Sequence, residues 1–181
     1  MKTEVTKRMY NGKEFETLGS YDSLELAHKE HVDFKFQQTL EDIENLNFST
    51  PYLHYECMLS KRKLVSYENF GSWHTFFATR YGYQDEYHDL LFVEDYKDAK
   101  IEKPWDVVLI DQTPDTSRAE TVVRLANYAK YIIIHDSGPK FDKQYGYDKI
   151  YPLFKYRTNW TKDTNNATVL SNFVDLKDFW K

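Results

Sequence analysis

The sequence has little of what stabilises secreted or membrane proteins: it contains one cysteine, Cys57, and no long apolar run. A single cysteine excludes an internal disulfide framework and a zinc site built from several cysteines, and it favours a reducing, cytoplasmic setting. No apolar stretch approaches the roughly 18 residues that a membrane-spanning helix needs. The first residues lack the apolar segment of a secretory signal, so we expect neither secretion nor a membrane partner.

Positive charge is also scarce. The 24 lysines and arginines are outnumbered by 29 acidic residues, which gives a formal net charge of −5. We therefore expect no general binding to nucleic acid, which requires a concentrated positive surface. Aromatic residues are instead abundant at 17%, with 15 tyrosines. Tyrosine buries its ring while its hydroxyl stays in water, so most of these residues are expected to pack, with a surface for stacking sugar-like rings as the alternative.

Short apolar runs alternate with helical patterns from about residue 61 onward, which predicts a series of β-α-β units. The predicted strands are Lys63 to Glu68, Leu90 to Val93, Asp106 to Ile110 and Tyr131 to His135. Helices are predicted over Phe70 to Arg80 and Ser117 to Lys130. Connections of this length require parallel pairing, and continuous apolar runs suit strands that are buried on both faces. The four strands are therefore predicted to be neighbours in one parallel sheet.

The C-terminal part breaks this pattern. Leu153 to Asn159 and Thr168 to Val174 are strand-like and are joined by a short polar link, which predicts an antiparallel pair at one edge of the sheet. The pair is expected to bury apolar residues from both strands, namely Leu153 or Phe154 and Val169 or Phe173.

The N-terminal part is predicted to be helical. Apolar residues recur at helical spacing over Ser23 to Asn45, and Ser49-Thr50-Pro51 places a hydroxyl cap before a proline, which is a typical helix start. The helix that begins there is predicted to run through Tyr52 to Ser60. The sequence thus predicts an N-terminal helical extension, residues 1–38, and a single α/β domain, residues 39–181.

An acidic residue follows each of the four predicted parallel strands. Ligands bind beyond the carboxyl ends of the strands in an open parallel sheet, so these positions are the first candidates for chemistry. They are Glu68, Glu94 with Asp95, Asp111, and His135 with Asp136. Aspartate is common after strands because it forms turns and caps helices, but four such positions at one edge of a sheet favour a functional site.

Two segments carry a family resemblance. Trp105 to Ser137, WDVVLIDQTPDTSRAETVVRLANYAKYIIIHDS, resembles the fourth strand, the following helix and the fifth strand of class I S-adenosylmethionine-dependent methyltransferases. Ser49 to His54 is similar to the start of their first helix, where Ser49 and Thr50 would contact the cofactor. The resemblance implies a methyltransferase-like Rossmann fold of the α/β class, mostly parallel with an antiparallel C-terminal strand pair. It also implies S-adenosylmethionine as the cofactor and a small or sugar-like hydroxyl acceptor as the partner.

The resemblance implies roles for single residues at the cofactor. Glu68 matches the acid that binds the ribose hydroxyls, and a carboxylate can accept hydrogen bonds from two adjacent hydroxyls. Asp95, with Glu94 as the alternative, matches the acid that faces the adenine amino group. Asp111 matches the acid near the methionine part of the cofactor or the acceptor.

The chemistry of the acceptor falls on the last strand ends. Asp136 or His135 would take the proton of the acceptor hydroxyl. In metal-dependent members of the family, the acids that match Asp111 and Asp136 hold magnesium, which leaves a magnesium site here as the alternative. Two carboxylates make an incomplete ligand set, so the favoured expectation is that no metal ion binds. The loop Tyr145-Gly146-Tyr147 follows the same edge and is a candidate wall of the acceptor pocket, with an ordinary connection as the alternative.

The glycine loop of the family is missing. Its two glycine positions fall on Glu44 and Leu46, where the backbone should pass close to the cofactor. Asp42 matches the acid that ends the family's first strand; in a second alignment Thr39 to Asn45 is a helix and that strand is deleted. The alternative function is therefore a methyltransferase-fold protein that has lost its cofactor and serves as a binding or scaffold protein.

Overall fold

The computed structural model describes residues 3–8, 15–21, 49–81, 86–161 and 166–181. The chain forms two compact units, Met1–Glu94 and Asp95–Lys181. Each unit contains its own strands and its own buried residues. None of the helices in these ranges has the length and apolar character needed to cross a bilayer.

The first unit combines a hairpin with a small α/β arrangement. Its elements are β1 (Thr3–Arg8), β2 (Phe15–Tyr21), α1 (Ser49–Ser60), β3 (Leu64–Glu68), α2 (Gly71–Tyr81) and β4 (His88–Phe92). Strands β1 and β2 pair antiparallel in one two-stranded sheet, and β3 and β4 pair parallel in another. Because α2 connects β3 to β4, this part forms the β-α-β unit that parallel pairing requires.

Aromatic rings of α2 form the core of the first unit. Phe77, Ala78 and Tyr81 are buried together with Leu90 of β4. Positions 77, 78 and 81 share one side of a helix, because residues three and four apart are neighbours there. Tyr81 also stacks on the fully buried His54 of α1, with ring centroids 4.5 Å apart. A histidine thus takes part in the contact between the two helices.

The second unit is built on a four-stranded mixed sheet. Its elements are β5 (Trp105–Ile110), α3 (Arg118–Leu125), β6 (Ala129–His135), α4 (Pro139–Gln144), α5 (Tyr147–Ile150), β7 (Tyr156–Trp160) and β8 (Ala167–Ser171). The strand order is β5-β6-β8-β7; β5 and β6 are parallel, and β8 runs antiparallel to both of its neighbours. The helical connection α3 again permits the parallel pair.

Regularly spaced apolar residues build the core of the second unit. On β6, Ile132 and Ile134 are two residues apart and therefore point to the same face of the sheet. On α3, Val122 and Leu125 are three residues apart and share one side of the helix. All four are buried, and full burial of such a side chain stabilises a protein by about 1.5–3 kcal/mol.

The predicted methyltransferase-like Rossmann sheet is wrong. Instead of one mostly parallel sheet, the described residues form a two-stranded antiparallel sheet, a two-stranded parallel sheet and a four-stranded mixed sheet. The apolar runs predict strands buried on both faces, but Phe92 of β4 is 47% exposed and Val107 of β5 is 49% exposed. Both lie on edge strands of their sheets. An apolar run favours an extended, partly buried segment without specifying which strand pairs with it.

Several local predictions are confirmed with shifted boundaries. The parallel pairs β3–β4 and β5–β6 and the antiparallel pair β7–β8 form as expected. In the antiparallel pair Val169 is buried, whereas Leu153 is 55% exposed because it ends a short 3₁₀ turn before the strand begins. The helix predicted over Ser117 to Lys130 ends at Leu125, and its last predicted residues belong to β6.

The N-terminal prediction is only partly covered. Strands β1 and β2 lie within residues 1–38, and the sequence does not predict them. The helix predicted over Ser23 to Asn45 and the boundary between residues 38 and 39 lie outside the described residues.

Candidate active site

Two parallel strands bring the strongest candidates together. Asp111 directly follows β5, and His135 is the last residue of β6. The register pairs Ile110 with Ile134, so the next residues on both strands lie side by side. This arises from the local sequence, because the β-branched runs favour extended strands and the helix α3 between them permits parallel pairing. A polar residue then stands at the end of each strand, Asp111 after β5 and His135 at the end of β6.

His135 lies between two carboxylates. Its Nδ1 atom is 3.2 Å from Oδ1 of Asp111 and 3.2 Å from Oδ1 of Asp136. Nδ1 is shielded from solvent, and neither oxygen is aligned with it for a regular hydrogen bond. The side chain is nevertheless 38% exposed, so its exposed surface belongs to the other atoms of the ring. The ring therefore places Nδ1 against the carboxylates and its far side toward solvent.

The carboxylates change the acid–base behaviour of this ring. The contact with Asp111 raises the pKa of His135 above its ordinary value; burial opposes the rise, and the charges of Asp111 and Asp136 reinforce it. A carboxylate favours the charged imidazolium because opposite charges attract. Two carboxylate oxygens 3.2 Å from Nδ1 also favour the neutral tautomer with its proton on Nδ1, by charge and proximity rather than by a regular hydrogen bond. That tautomer has a free electron pair on Nε2.

The backbone after β6 turns sharply to place the second carboxylate. Asp136 has a φ of 53°, in the left-handed region that aspartate tolerates better than most residues. Gly138 follows at a φ of 114°, and a Cβ atom there would lie 2.7 Å from Nδ2 of Asn166. Between them the backbone N–H of Ser137 donates to the carbonyl oxygen of Asn166 at 3.0 Å. The turn thus directs Asp136 back toward the His135 ring.

A buried arginine completes the cluster. Arg118 opens α3, and its side chain is 7% exposed. Its Nη2 lies 3.2 Å from Oδ1 of Asp111, and its Nη1 lies 3.5 Å from Oδ2 of Asp136. Its Nε also donates to the carbonyl oxygen of Gln112 at 2.7 Å. Arg118 is not among the site residues predicted from the sequence, although a cation in the first turn opposes the helix dipole, which is a signal for a special role.

The predicted tyrosine loop lies beside this arginine. The Tyr145 ring has the Arg118 guanidinium carbon 5.6 Å from its centroid. Tyr147 is fully buried, and its hydroxyl has no partner in hydrogen-bond geometry among the described residues. Burial raises the pKa of Tyr147 to about 12, while the charge of Arg118 acts against the rise. Gly146, with a φ of 76°, permits the turn between the two rings. The role of the Tyr145-Gly146-Tyr147 loop as a wall of the acceptor pocket stays a prediction.

The remaining predicted residues have local contacts of their own. Glu68 ends β3 in the first unit, and its Oε1 accepts a hydrogen bond from the backbone N–H of Phe70 at 2.9 Å. Asp95 accepts from the backbone N–H of Lys97 at 2.9 Å and so caps a short 3₁₀ turn; it is exposed, as is Glu94. Ser49 and Thr50 open α1, and Asp42 lies outside the described residues.

The cluster also has ligand atoms for a cation. One ligand atom each from Asp111, His135 and Asp136 lies within 4.8 Å of the others. His135 thus adds a third donor to the two carboxylates considered from the sequence, and a mixed nitrogen and oxygen set suits divalent ions. However, the Arg118 guanidinium already contacts both carboxylates, so a metal ion would compete with a buried positive charge for the same groups. The geometry favours a charge-paired cluster.

No protein-family model, curated protein or solved structure matches the chain.

Proposed function

We propose that the protein is an S-adenosylmethionine-dependent methyltransferase that acts on a small or sugar-like hydroxyl acceptor, with His135 as its general base. The convergence of Asp111 and Asp136 on Nδ1 of His135 carries this proposal. A carboxylate at one ring nitrogen orients a histidine and leaves the other nitrogen to accept a proton, as in other acid–base sites. The exposed side of the ring is where an acceptor hydroxyl would approach.

The chain's own contribution is proton removal and orientation. When bound, S-adenosylmethionine supplies an electrophilic methyl group. His135 takes the proton of the acceptor hydroxyl at Nε2 as the acceptor oxygen becomes methylated. The Asp111 and Asp136 carboxylates then stabilise the imidazolium that forms, because their contacts already favour the charged ring. General-base assistance of this kind contributes typically ~10²–10⁴-fold in rate.

Glu68 supports the cofactor part of the proposal. It is half-buried at the carboxyl end of a parallel strand, and its Oε1 accepts a hydrogen bond from the N–H of Phe70. Within the described part of the chain, Oε2 makes no hydrogen bond and is a suitable acceptor for ribose hydroxyls. Ser49 and Thr50 begin a helix without an acidic residue in its first turn, which suits an anionic group of a ligand.

The alternative is a binding or scaffold protein that has lost the cofactor. Glu44 and Leu46 favour it, because a charged and a large side chain occupy the positions of the family's glycines. A cytoplasmic setting belongs to both proposals; Cys57 is unpaired, and burial raises the pKa of its thiol.

Calorimetry separates the two proposals. We expect S-adenosylmethionine and S-adenosylhomocysteine to bind the wild-type protein with measurable heat. Glu68→Gln should weaken binding by roughly ten- to a hundredfold, because a charge-assisted contact to the ribose is lost. The control is Glu56→Gln, which changes an exposed acid on α1 and should bind as wild type does. Wild-type protein without heat at millimolar ligand would instead support the scaffold proposal.

A further inference from the structure

Arg118 joins the ends of two strands. Besides its two carboxylate contacts, its Nε donates to the carbonyl oxygen of Gln112, and its Nη1 donates to the carbonyl oxygen of His135 at 3.3 Å. Asp111 and Gln112 follow β5. His135 ends β6, and Asp136 lies in the turn after it. One buried guanidinium therefore contacts both sides of the cluster that holds the His135 ring.

We infer that Arg118 is a positioning residue, which fixes the Asp111 and Asp136 carboxylates against the His135 ring and so keeps its Nε2 side available to the acceptor. The inference deepens the proposed function, because it rests on His135 acting as the base. Its physical content, the control of one histidine by one arginine, can nevertheless be measured without cofactor or acceptor.

The geometry requires a guanidinium. Its planar fork presents five N–H donors, and here they contact four acceptors on two chain segments. A lysine ammonium in the same place is a single point charge and cannot span both carboxylates and both carbonyl groups. The Arg118 side chain is only 7% exposed, so water could not replace the contacts that a lysine at this position would fail to make.

Arg118 and His135 also share an acceptor. Oδ1 of Asp111 lies 3.2 Å from Nη2 of Arg118 and 3.2 Å from Nδ1 of His135. Without the guanidinium, the carboxylates keep their negative charge near the ring but lose the cation that balances it. The imidazolium is then favoured further, so the pKa of His135 should rise. Carboxylates that Arg118 no longer fixes in place should also favour one tautomer of the neutral His135 ring less strongly.

The other titratable groups near the cluster do not confuse this test. Tyr145 and Tyr147 lie beside Arg118, and the pKa of each is raised above its ordinary value of 10, mainly by removal from water; the negative charge of Asp136 adds to the rise for both, and Asp115 adds to it for Tyr145. Both stay uncharged while His135 titrates.

Arg124 offers a matched control on the same helix. Its Nε contacts Oε1 of Glu102 at 2.6 Å, and its Nη atoms donate to the carbonyl oxygens of Tyr96 and Ala99 at 2.7 and 2.6 Å. It therefore also bridges a carboxylate and two backbone carbonyl groups, without contact to the His135 cluster. Removing it should cost stability and leave His135 unchanged.

The experiment is NMR of ¹⁵N-labelled histidine rings across pH in wild type, Arg118→Gln, Arg118→Lys and Arg124→Gln. In wild type we expect the neutral His135 ring to carry its proton on Nδ1. Arg118→Gln should raise the pKa of His135 by about one unit, a tenfold change, and mix the two tautomers. Arg118→Lys keeps the charge, so it should shift the pKa less but still mix the tautomers. Arg124→Gln should match wild type.

Folded Arg118→Lys or Arg118→Gln protein with the wild-type pKa and tautomer would overturn the inference, as would equal changes in Arg124→Gln. If Arg118→Gln does not fold, Arg118→Lys decides. The result is independent of calorimetry. If the NMR changes occur but no cofactor binds, only the methyltransferase proposal is contradicted. If the cofactor binds but the NMR changes do not occur, only the role of Arg118 is contradicted.

Discussion

The two units contain histidine sites of opposite character. In the first unit, His54 and His88 are fully buried, with their Nδ1 atoms 3.2 Å apart, and Nε2 of His88 lies 2.9 Å from Oγ of Ser66. A contact between two Nδ1 atoms holds one proton, so one ring donates and the other accepts. In the second unit, His135 is half-exposed between two carboxylates. The first site connects α1 to the parallel strands, whereas the second presents a half-exposed ring to solvent.

Loss of catalysis is the largest effect that this comparison predicts. On the proposed function, His135→Gln should lower methyl transfer by about 10²–10⁴-fold, because a glutamine cannot accept the proton of the acceptor hydroxyl. The measurement is release of S-adenosylhomocysteine over a panel of sugars and small alcohols. Glu120→Gln, an exposed change on α3, is the control. Full activity of His135→Gln would remove the ring from the mechanism.

For the free energy of unfolding, we expect the buried histidine site of the first unit to matter more than His135. His88→Leu breaks the buried pair and removes the contacts that the His88 ring makes with the His54 ring and the Ser66 hydroxyl, so we expect the free energy of unfolding to fall by about 2–4 kcal/mol. His135→Gln removes a partly exposed side chain and should cost less than about 1 kcal/mol. Urea unfolding of both variants measures the difference. A larger loss for His135→Gln than for His88→Leu would contradict the contrast.

The smallest effect is a pH dependence of stability in the second unit. The pKa of His135 is raised in the folded protein, so its contribution is fully present below the unfolded value of about 6.5 and is lost as pH rises through the folded value. The difference in melting temperature between wild type and His135→Gln should therefore be larger at pH 6 than at pH 8. An unchanged or reversed difference would show that the His135 ring does not bind its proton more tightly in the folded protein than in the unfolded chain.

Sequence reasoning located the strand ends but not the sheets. The β-branched runs around Val108 and Ile133 predict strands because such residues favour extended backbone, and parallel pairing follows from the helix between them. Asp111 and His135 meet because the residues that follow paired positions are neighbours. The division into separate sheets depends on which strands pair, and a run such as Leu90 to Val93 carries no signal for its partner.

Contacts between segments distant in sequence were the least predictable part of the site. Nothing in the alternating pattern shows that Arg118 turns back to the ends of β5 and β6, because its four acceptors are set by the turns after those strands. The left-handed backbone of Asp136 is equally hidden, since aspartate after a strand is common in ordinary turns. Local propensity therefore predicts elements, and the site arises where their ends converge.

The most direct test of the central claim is the pKa of His135 in wild type and in Asp111→Asn, measured by NMR titration. The account predicts that wild-type His135 titrates above the ordinary value of about 6.5, because Asp111 makes the largest favourable contribution. Asp111→Asn should lower the pKa, since an amide keeps the shape of the side chain but not its charge. A wild-type pKa at or below the ordinary value, or equal values in the two proteins, would contradict the assignment of this cluster as an acid–base site.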